Sequence, residues 1–402
     1  MNDKSDTFMD LFNVLYWAYD DGRYTDWGSV YPPLNFLILK IANFVFTGGW
    51  YGDPANMREN SQLVIVGFCI MYFAMPAILL KINYWKNFSK KEKFQIYFII
   101  VFSSPMLFAL ERGNLIVLTP ILLGLALSKI GMARSIYIAL LINIKPYFAL
   151  FVIYYIVRKN WKGLATTLAF SGLIFAISGL ALDNRYLEFF SNLLNFSQGS
   201  TLFSLREVMA LPSSISAFSY VLKHPDGAMF ASSFLNADSI SIIAYLIEAL
   251  KWSVIVISLV ALFMRSKQLR DSEIFTLLVV SICNIGIWVG GYTFILYIAL
   301  IPIFIKMRAK WLYISLLSLI AMPMDIIPII GGYIGEQYSY LGATHINIWW
   351  TLGLGSVMRP LANLMLLVLL SHECLARKSK DVDNNTEHQA GLFHSFVFKQ
   401  KG

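Results

Sequence analysis

Charge is scarce in this sequence. Asp, Glu, Lys and Arg make up 14% of its 402 residues, where a soluble domain carries about a quarter. Cysteine is scarce too. Cys69, Cys283 and Cys374 lie in or beside apolar stretches without CxxC spacing, which excludes a disulfide framework and a zinc site. There is no Walker loop, GxGxxG, HExxH or GxSxG pattern, so nucleotide, zinc-peptidase and serine-hydrolase chemistry have no support. The first residues are polar, so no cleavable signal peptide is visible. The net charge of +8 comes from Lys and Arg in short loops and the tail. That placement is the positive-inside bias of a membrane protein, not a nucleic-acid footprint.

What is present is apolar. Hydrophobic residues make up 57% of the chain, and the mean hydropathy is +0.61. Runs long enough to cross a bilayer recur throughout. They predict an all-α polytopic membrane protein of about ten to eleven transmembrane helices, with outer-face loops that carry short helices. Residues 1–378 read as one transmembrane domain, and the polar tail 379–402 as a disordered cytoplasmic segment. The basic loop holding Lys81, Lys86, Lys90, Lys91 and Lys93 anchors the topology in the cytoplasm. Threading from it gives a first outer loop over 1–62, a span over 94–110, a long outer loop over 183–238, a span over 311–330 and an outer loop over 331–355. The apolar stretch 135–157 has basic flanks and a Lys145-Pro146 break at its centre, so it reads as two half-length helices. Residues 273–305 read as a hairpin turning at Gly290-Gly291. Parity puts residues 47–62 outside; either 35–46 crosses and the acidic stretch before it is cytoplasmic, or, the favoured expectation, residues 5–34 are outside too and a further transmembrane helix precedes them.

That acidic and aromatic stretch, 5–34, ends on Tyr31-Pro32-Pro33-Leu34, which cannot be mid-helix. Asp6 and Asp10 are spaced i, i+4 and share a helix face. Such a pair suits a general base or a cation site; its plainer meaning is a solvated charge cluster. Lys145 in the broken helix suits a phosphate group, or it snorkels. Arg112, in Glu111-Arg112-Gly113-Asn114, suits a phosphate clamp or pairs with Glu111. Arg206 in the long outer loop reads equally as a surface residue. Arg359 opens the last helix against the positive-inside bias. Asp325 and Glu248 lie within predicted spans, and Glu248 has Lys251 one turn on. His345 sits near Trp349 and Trp350, which form either an interfacial belt or a sugar-stacking platform.

Taken together, these stretches resemble the integral-membrane GT-C glycosyltransferases, in particular the polyprenol-phosphate-mannose-dependent mannosyltransferases of family 87. The resemblance rests on Asp10 (or Asp6), Tyr16-Trp17-Ala18, Gly22-Arg23-Tyr24, Tyr31-Pro32-Pro33-Leu34, Arg112-Gly113-Asn114, Ile144-Lys145-Pro146-Tyr147 and the stretch 195–206. The chain departs from the family at Gly291-Tyr292, where a His-Tyr pair is usual. The resemblance implies a GT-C-like bundle. It also implies inverting transfer of one mannose-like hexose from a polyprenyl-phosphate sugar to a lipid- or glycan-linked acceptor, without nucleotide sugar; no metal-ligand set and no cofactor is expected from the residues. The site would lie on the outer face of the plasma membrane. Asp10 would be the base, with Asp6 second, and Lys145, Arg112, Arg206 and Arg359 would hold the donor phosphate. Tyr31, Asn114, Tyr292, His345 and Trp349 would contact sugar or acceptor. Membrane lipids are expected partners; nucleic acid is not. The alternatives are a lipid-linked glycan flippase, with Glu248, Asp325 and Lys145 along a polar path, and an O-antigen-type polymerase.

Overall fold

The computed structural model describes residues 7–82, 85, 88–182, 185–197, 205–224, 232, 235–338 and 345–377. Asp6 and the tail 379–402 lie outside the described residues. Helices dominate, as expected of a membrane protein with no water in the bilayer core to satisfy a bare backbone.

Among the described residues, four helices are long and apolar enough to cross a membrane: α4 (Gln62–Leu79), α10 (Trp161–Leu180), α14 (Ala237–Met264) and α18 (Gly355–Ala376). Their outward faces are apolar. Leu63, Val66 and Ile70 on α4, Leu168, Leu173 and Ile177 on α10, and Ile242, Leu246 and Leu250 on α14 are all exposed. Apolar area on this scale is not stable against water, and it matches lipid contact. Between helices, buried polar contacts stand among the apolar ones. Asn363 on α18 donates to the carbonyls of Ser213 (2.7 Å) and Cys283 (3.1 Å). Lys251 on α14, paired with Glu248 of the same helix at 2.6 Å, crosses to α13 (Ser216–Lys223) by donating to Ser216 Oγ at 2.7 Å. Interhelical hydrogen bonds of this kind hold helices together where apolar burial cannot.

The other apolar segments are shorter or bent. The span expected over 94–110 is α5 (Lys90–Val101) and α6 (Ser104–Arg112), which meet at 53°. Pro105 explains the break, since it lacks an N–H and favours a fresh helix start. α2 (Pro33–Thr47), α8 (Gly131–Ile144), α17 (Lys310–Ala321) and the segments Leu115–Ser128, Pro146–Val157 and Gly291–Phe304 are each 10–17 residues. Against the ten to eleven crossings read from hydropathy, the described residues hold four or five helices of full length plus these shorter pieces. The largest difference lies at 311–330, read as a span. There α17 stops at Ala321 and Pro323 follows. The chain then forms an antiparallel hairpin, β1 (Pro328–Tyr338) with β2 (His345–Gly353), in the stretch expected to be loop. Ile346, Ile348 and Thr351 supply β-branched residues to β2, which favour a pleated strand.

Three devices position the site. First, α1 (Met9–Trp17) is set against the end of α6. The Phe8 N–H donates to the Glu111 carbonyl at 2.7 Å, and Gly113 ends α6 at φ 69°. A Cβ on Gly113 would lie 2.8 Å from Leu11 Cβ, so only glycine allows this approach. Second, Arg23 closes the other end of α1 by donating to the carbonyls of Trp17 (2.8 Å) and Ala18 (3.4 Å). Third, Asn35, at the start of α2, donates to the carbonyls of Asn143 (3.3 Å) and Ile144 (3.0 Å). Those carbonyls end α8, where Pro146 lacks the N–H to continue the helix. Asn35 thus ties the Tyr-Pro-Pro turn to the Lys145 break.

Candidate active site

Asp10 lies in the first turn of α1, and its carboxylate is met by the turn after α6. Arg112 donates to Oδ1 through Nη2 (2.8 Å) and Nε (3.2 Å), and Asn114 Nδ2 donates to Oδ2 at 2.8 Å. Asn114 is itself fixed, since its Oδ1 accepts the Ile116 N–H at 3.0 Å. A carboxylate has about four lone-pair positions. Among the described residues three are filled, and one on Oδ2 is open. The Asp10 side chain is 14% exposed, so it is sheltered yet reachable.

Around this carboxylate the chain gathers Tyr31, Tyr292 and Lys145. Tyr31 and Tyr292 both lie within reach of the Asn114 side chain and feel the charge of Asp10. Burial pushes the Tyr31 phenol well above its usual range, so it stays a neutral O–H donor. Tyr292 follows the Gly290-Gly291 turn, where Gly290 has φ 73°. Its ring stacks on Phe108 of α6 at 5.9 Å. The Lys145 ammonium lies 4.3 Å from the Tyr31 ring centre and 5.7 Å from that of Tyr292. It is 9% exposed. Among the described residues it has no ion-pair or hydrogen-bond partner, only the aromatic rings and the more distant charge of Asp10. A buried ammonium without an anion is costly, and cation–π contact offsets only part of that cost. An anion placed beside this ammonium would offset that cost. Groups of three or more His, Cys, Asp or Glu that could hold a metal are absent among the described residues.

The structure thus brings together Asp10, Tyr31, Arg112, Asn114, Lys145 and Tyr292, and gives Arg112 a use other than the one expected. It orients the carboxylate through two nitrogens instead of standing open to a phosphate. Arg359 is not part of the cluster. It is fully buried, paired with Asp325 at 2.5 Å and bonded to the Met322 carbonyl at 2.9 Å and Ser104 Oγ at 3.1 Å. Ser104 begins α6 and Arg112 ends it, so Arg359 closes the far end of that helix. The side chains of Arg206, His345 and Trp349 lie outside the described residues; only their backbone is placed, in α12 (Leu205–Ala210) and β2. The sequence reading missed Asn35 and Gly113. Asn35 carried a signal, as a polar residue just after Pro-Pro at the start of an apolar helix. Gly113 stood within a noted motif, but its contact with Leu11 is tertiary.

The model of glycosyltransferase family 87 matches residues 61–289, more than half of the chain. That stretch includes Arg112, Asn114 and Lys145, and it ends three residues before Tyr292; Asp10 and Tyr31 precede it. No curated protein and no solved structure matches the chain. A membrane fold of this composition with this family match leaves one assignment: the chain belongs to glycosyltransferase family 87 and is a membrane glycosyltransferase.

Proposed function

We propose that this protein moves a single mannose-like hexose from a polyprenyl-phosphate sugar to a hydroxyl of a lipid- or glycan-linked acceptor, at the outer face of the plasma membrane. One observation carries the reading. Among the described residues, a carboxylate with an open lone pair stands near a buried ammonium that has no anion partner.

In this reading Asp10 Oδ2 takes the proton of the acceptor hydroxyl. The acceptor oxygen attacks the anomeric carbon from the face opposite the phosphate. The bond from that carbon to the phosphate oxygen breaks, its electron pair stays on the phosphate, and the configuration inverts. The phosphate gains one negative charge as it leaves. Lys145 stands ready for that charge in a water-poor setting, where a fixed cation acts more strongly than in water. Arg112 and Asn114 hold the carboxylate for the transfer, which lowers the cost of orienting it. The prenyl tail stays in lipid, so a membrane-edge site suits the donor. The transporter alternative draws less support, because Glu248 is closed by Lys251 and Asp325 by Arg359, and neither pair offers an open polar path.

The test is transfer by purified protein in lipid nanodiscs, from polyprenyl-phosphate mannose and glucose and from the matching nucleotide sugars. Transfer is expected only from the lipid phosphates. Asp10→Asn should lower kcat by roughly 10²–10⁴-fold, the usual share of a general base, with donor binding kept. Full activity in that variant would sink Asp10 as the base, and turnover from nucleotide sugar would sink the donor assignment.

A further inference from the structure

Beyond the pocket, the first loop presents a row of aromatic rings that the transfer step does not use. Tyr31, whose ring lies under Lys145, is followed by Trp17 at 6.5 Å between ring centres, and Trp17 by Trp27 at 6.2 Å and a 31° tilt. Tyr16 meets Trp27 edge-on at 5.7 Å. The row runs from the pocket to the surface, where Trp27 is 49% exposed. Large exposed aromatics usually collapse onto neighbours, but this loop is fixed from several sides. Tyr24 Oη donates to the Tyr31 carbonyl at 3.0 Å. Asn192, on α11 (Phe189–Ser197), donates to the carbonyls of Tyr24 (2.7 Å) and Ser29 (3.2 Å). Trp27 Nε1 donates to Asp20 Oδ2 at 2.9 Å. A rigid aromatic face is thus held at the surface with a carboxylate at its edge.

We propose that this row is the saccharide subsite of the acceptor: sugar units behind the reacting hydroxyl stack on Trp17 and Trp27, and Asp20 accepts their hydroxyl hydrogens. Sugar rings have apolar C–H faces that pack on aromatic faces, with their polar groups at the rim. A carboxylate at that rim is an acceptor matched to hydroxyl donors. The hydrogen bond from Trp27, with those of the Gly22 amide and Tyr16, holds the Asp20 carboxyl below its usual range, so it remains an acceptor at neutral pH. The subsite rests on the proposed transfer reading, and it narrows the acceptor to one carrying at least one sugar beyond the reacting unit.

The test is titration of the full chain in nanodiscs with two probes, α-linked mannobiose and polyprenyl phosphate. Trp27→Ala, which loses one aromatic contact, and Asp20→Asn, which loses a charged acceptor, should each weaken mannobiose binding about tenfold and leave polyprenyl phosphate binding unchanged. Trp27→Phe keeps a ring but loses the bond to Asp20, and should fall between. Trp161→Ala, an exposed tryptophan at the start of α10, should change neither. Mannobiose binding that is absent in the wild type, intact in Trp27→Ala, or equally lost in Trp161→Ala would overturn the subsite. Failure of polyprenyl phosphate to bind would instead sink the donor reading and leave the saccharide arm interpretable.

Discussion

Gly113→Ala tests whether the seating of α1 on α6 sets the chemistry. Two effects act at this position. The backbone is left-handed at φ 69°, which costs an alanine about 1–2 kcal/mol. The added methyl would also stand 2.8 Å from Leu11 Cβ and 3.3 Å from Phe8 Cα. Restoring an ordinary carbon–carbon separation of ~3.8 Å requires α1 to move by about 1 Å. Asp10 is the neighbour of Leu11, so it moves with it, while Asn114 and Lys145 stay on other elements. A displacement of about 1 Å in a reacting group costs roughly 10²-fold in rate. The expected result is therefore a kcat about 10²-fold lower, with an unchanged donor KM and a modest fall in the thermal midpoint, measured on protein in nanodiscs. Gly131→Ala is the matched control. Its φ is 62° and nothing lies within 4 Å of its would-be Cβ, so it should lose about 1–2 kcal/mol of stability and keep its kcat. Equal kcat for Gly113→Ala and wild type, or equal rate losses for the two variants, would refute the reasoning.

Three further outcomes follow from the same geometry. Lys145→Met removes the ammonium from its aromatic cage and should raise donor KM and lower kcat together by at least about tenfold, without loss of stability, because a buried cation is itself costly; an unchanged donor KM would remove Lys145 from phosphate binding. Arg359→Lys replaces a planar fork by a point charge against Asp325 and should destabilise the protein by roughly 2–3 kcal/mol with donor KM unchanged, read from thermal unfolding and initial rates; a raised donor KM at full stability would return Arg359 to the donor site. Asp271→Asn strips the partner from Arg134 (2.6 Å) and Arg158 (2.9 Å) and should lower the thermal midpoint at neutral pH. Burial alone would raise the Asp271 carboxyl, but Arg134, Tyr154 and Arg158 outweigh it and hold it below its usual range. Its stabilisation is therefore complete above the unfolded carboxylate value of ~3.9 and lost as pH falls through the lower folded value. The gap between wild type and Asp271→Asn should close as the pH is lowered below ~4; a gap that widens there would reverse the assignment.

Much of this protein was legible in the residue order, because its signals are local. Scarce charge and long apolar runs fix the solvent as lipid, since a chain this apolar has too little polar surface for water. Proline marks the break at Lys145-Pro146 wherever the rest of the chain goes, because its missing N–H is a covalent fact. A polar residue at membrane depth is expensive, so Lys145 in its broken apolar helix is conspicuous from the residue order alone. Tertiary structure decided the partners. Arg112 reaches Asp10 across 102 positions, and no periodicity records such a pairing. Arg359 and Arg112 look alike in sequence, yet one is closed by Asp325 and the other holds the catalytic carboxylate proposed here. The same holds for Tyr292, which joins Tyr31 over Lys145 only because the turn at Gly290 directs it there. Residue chemistry set which groups the membrane would not leave unpaired; the packing of α1, α6 and the α8 break set which of them share a pocket.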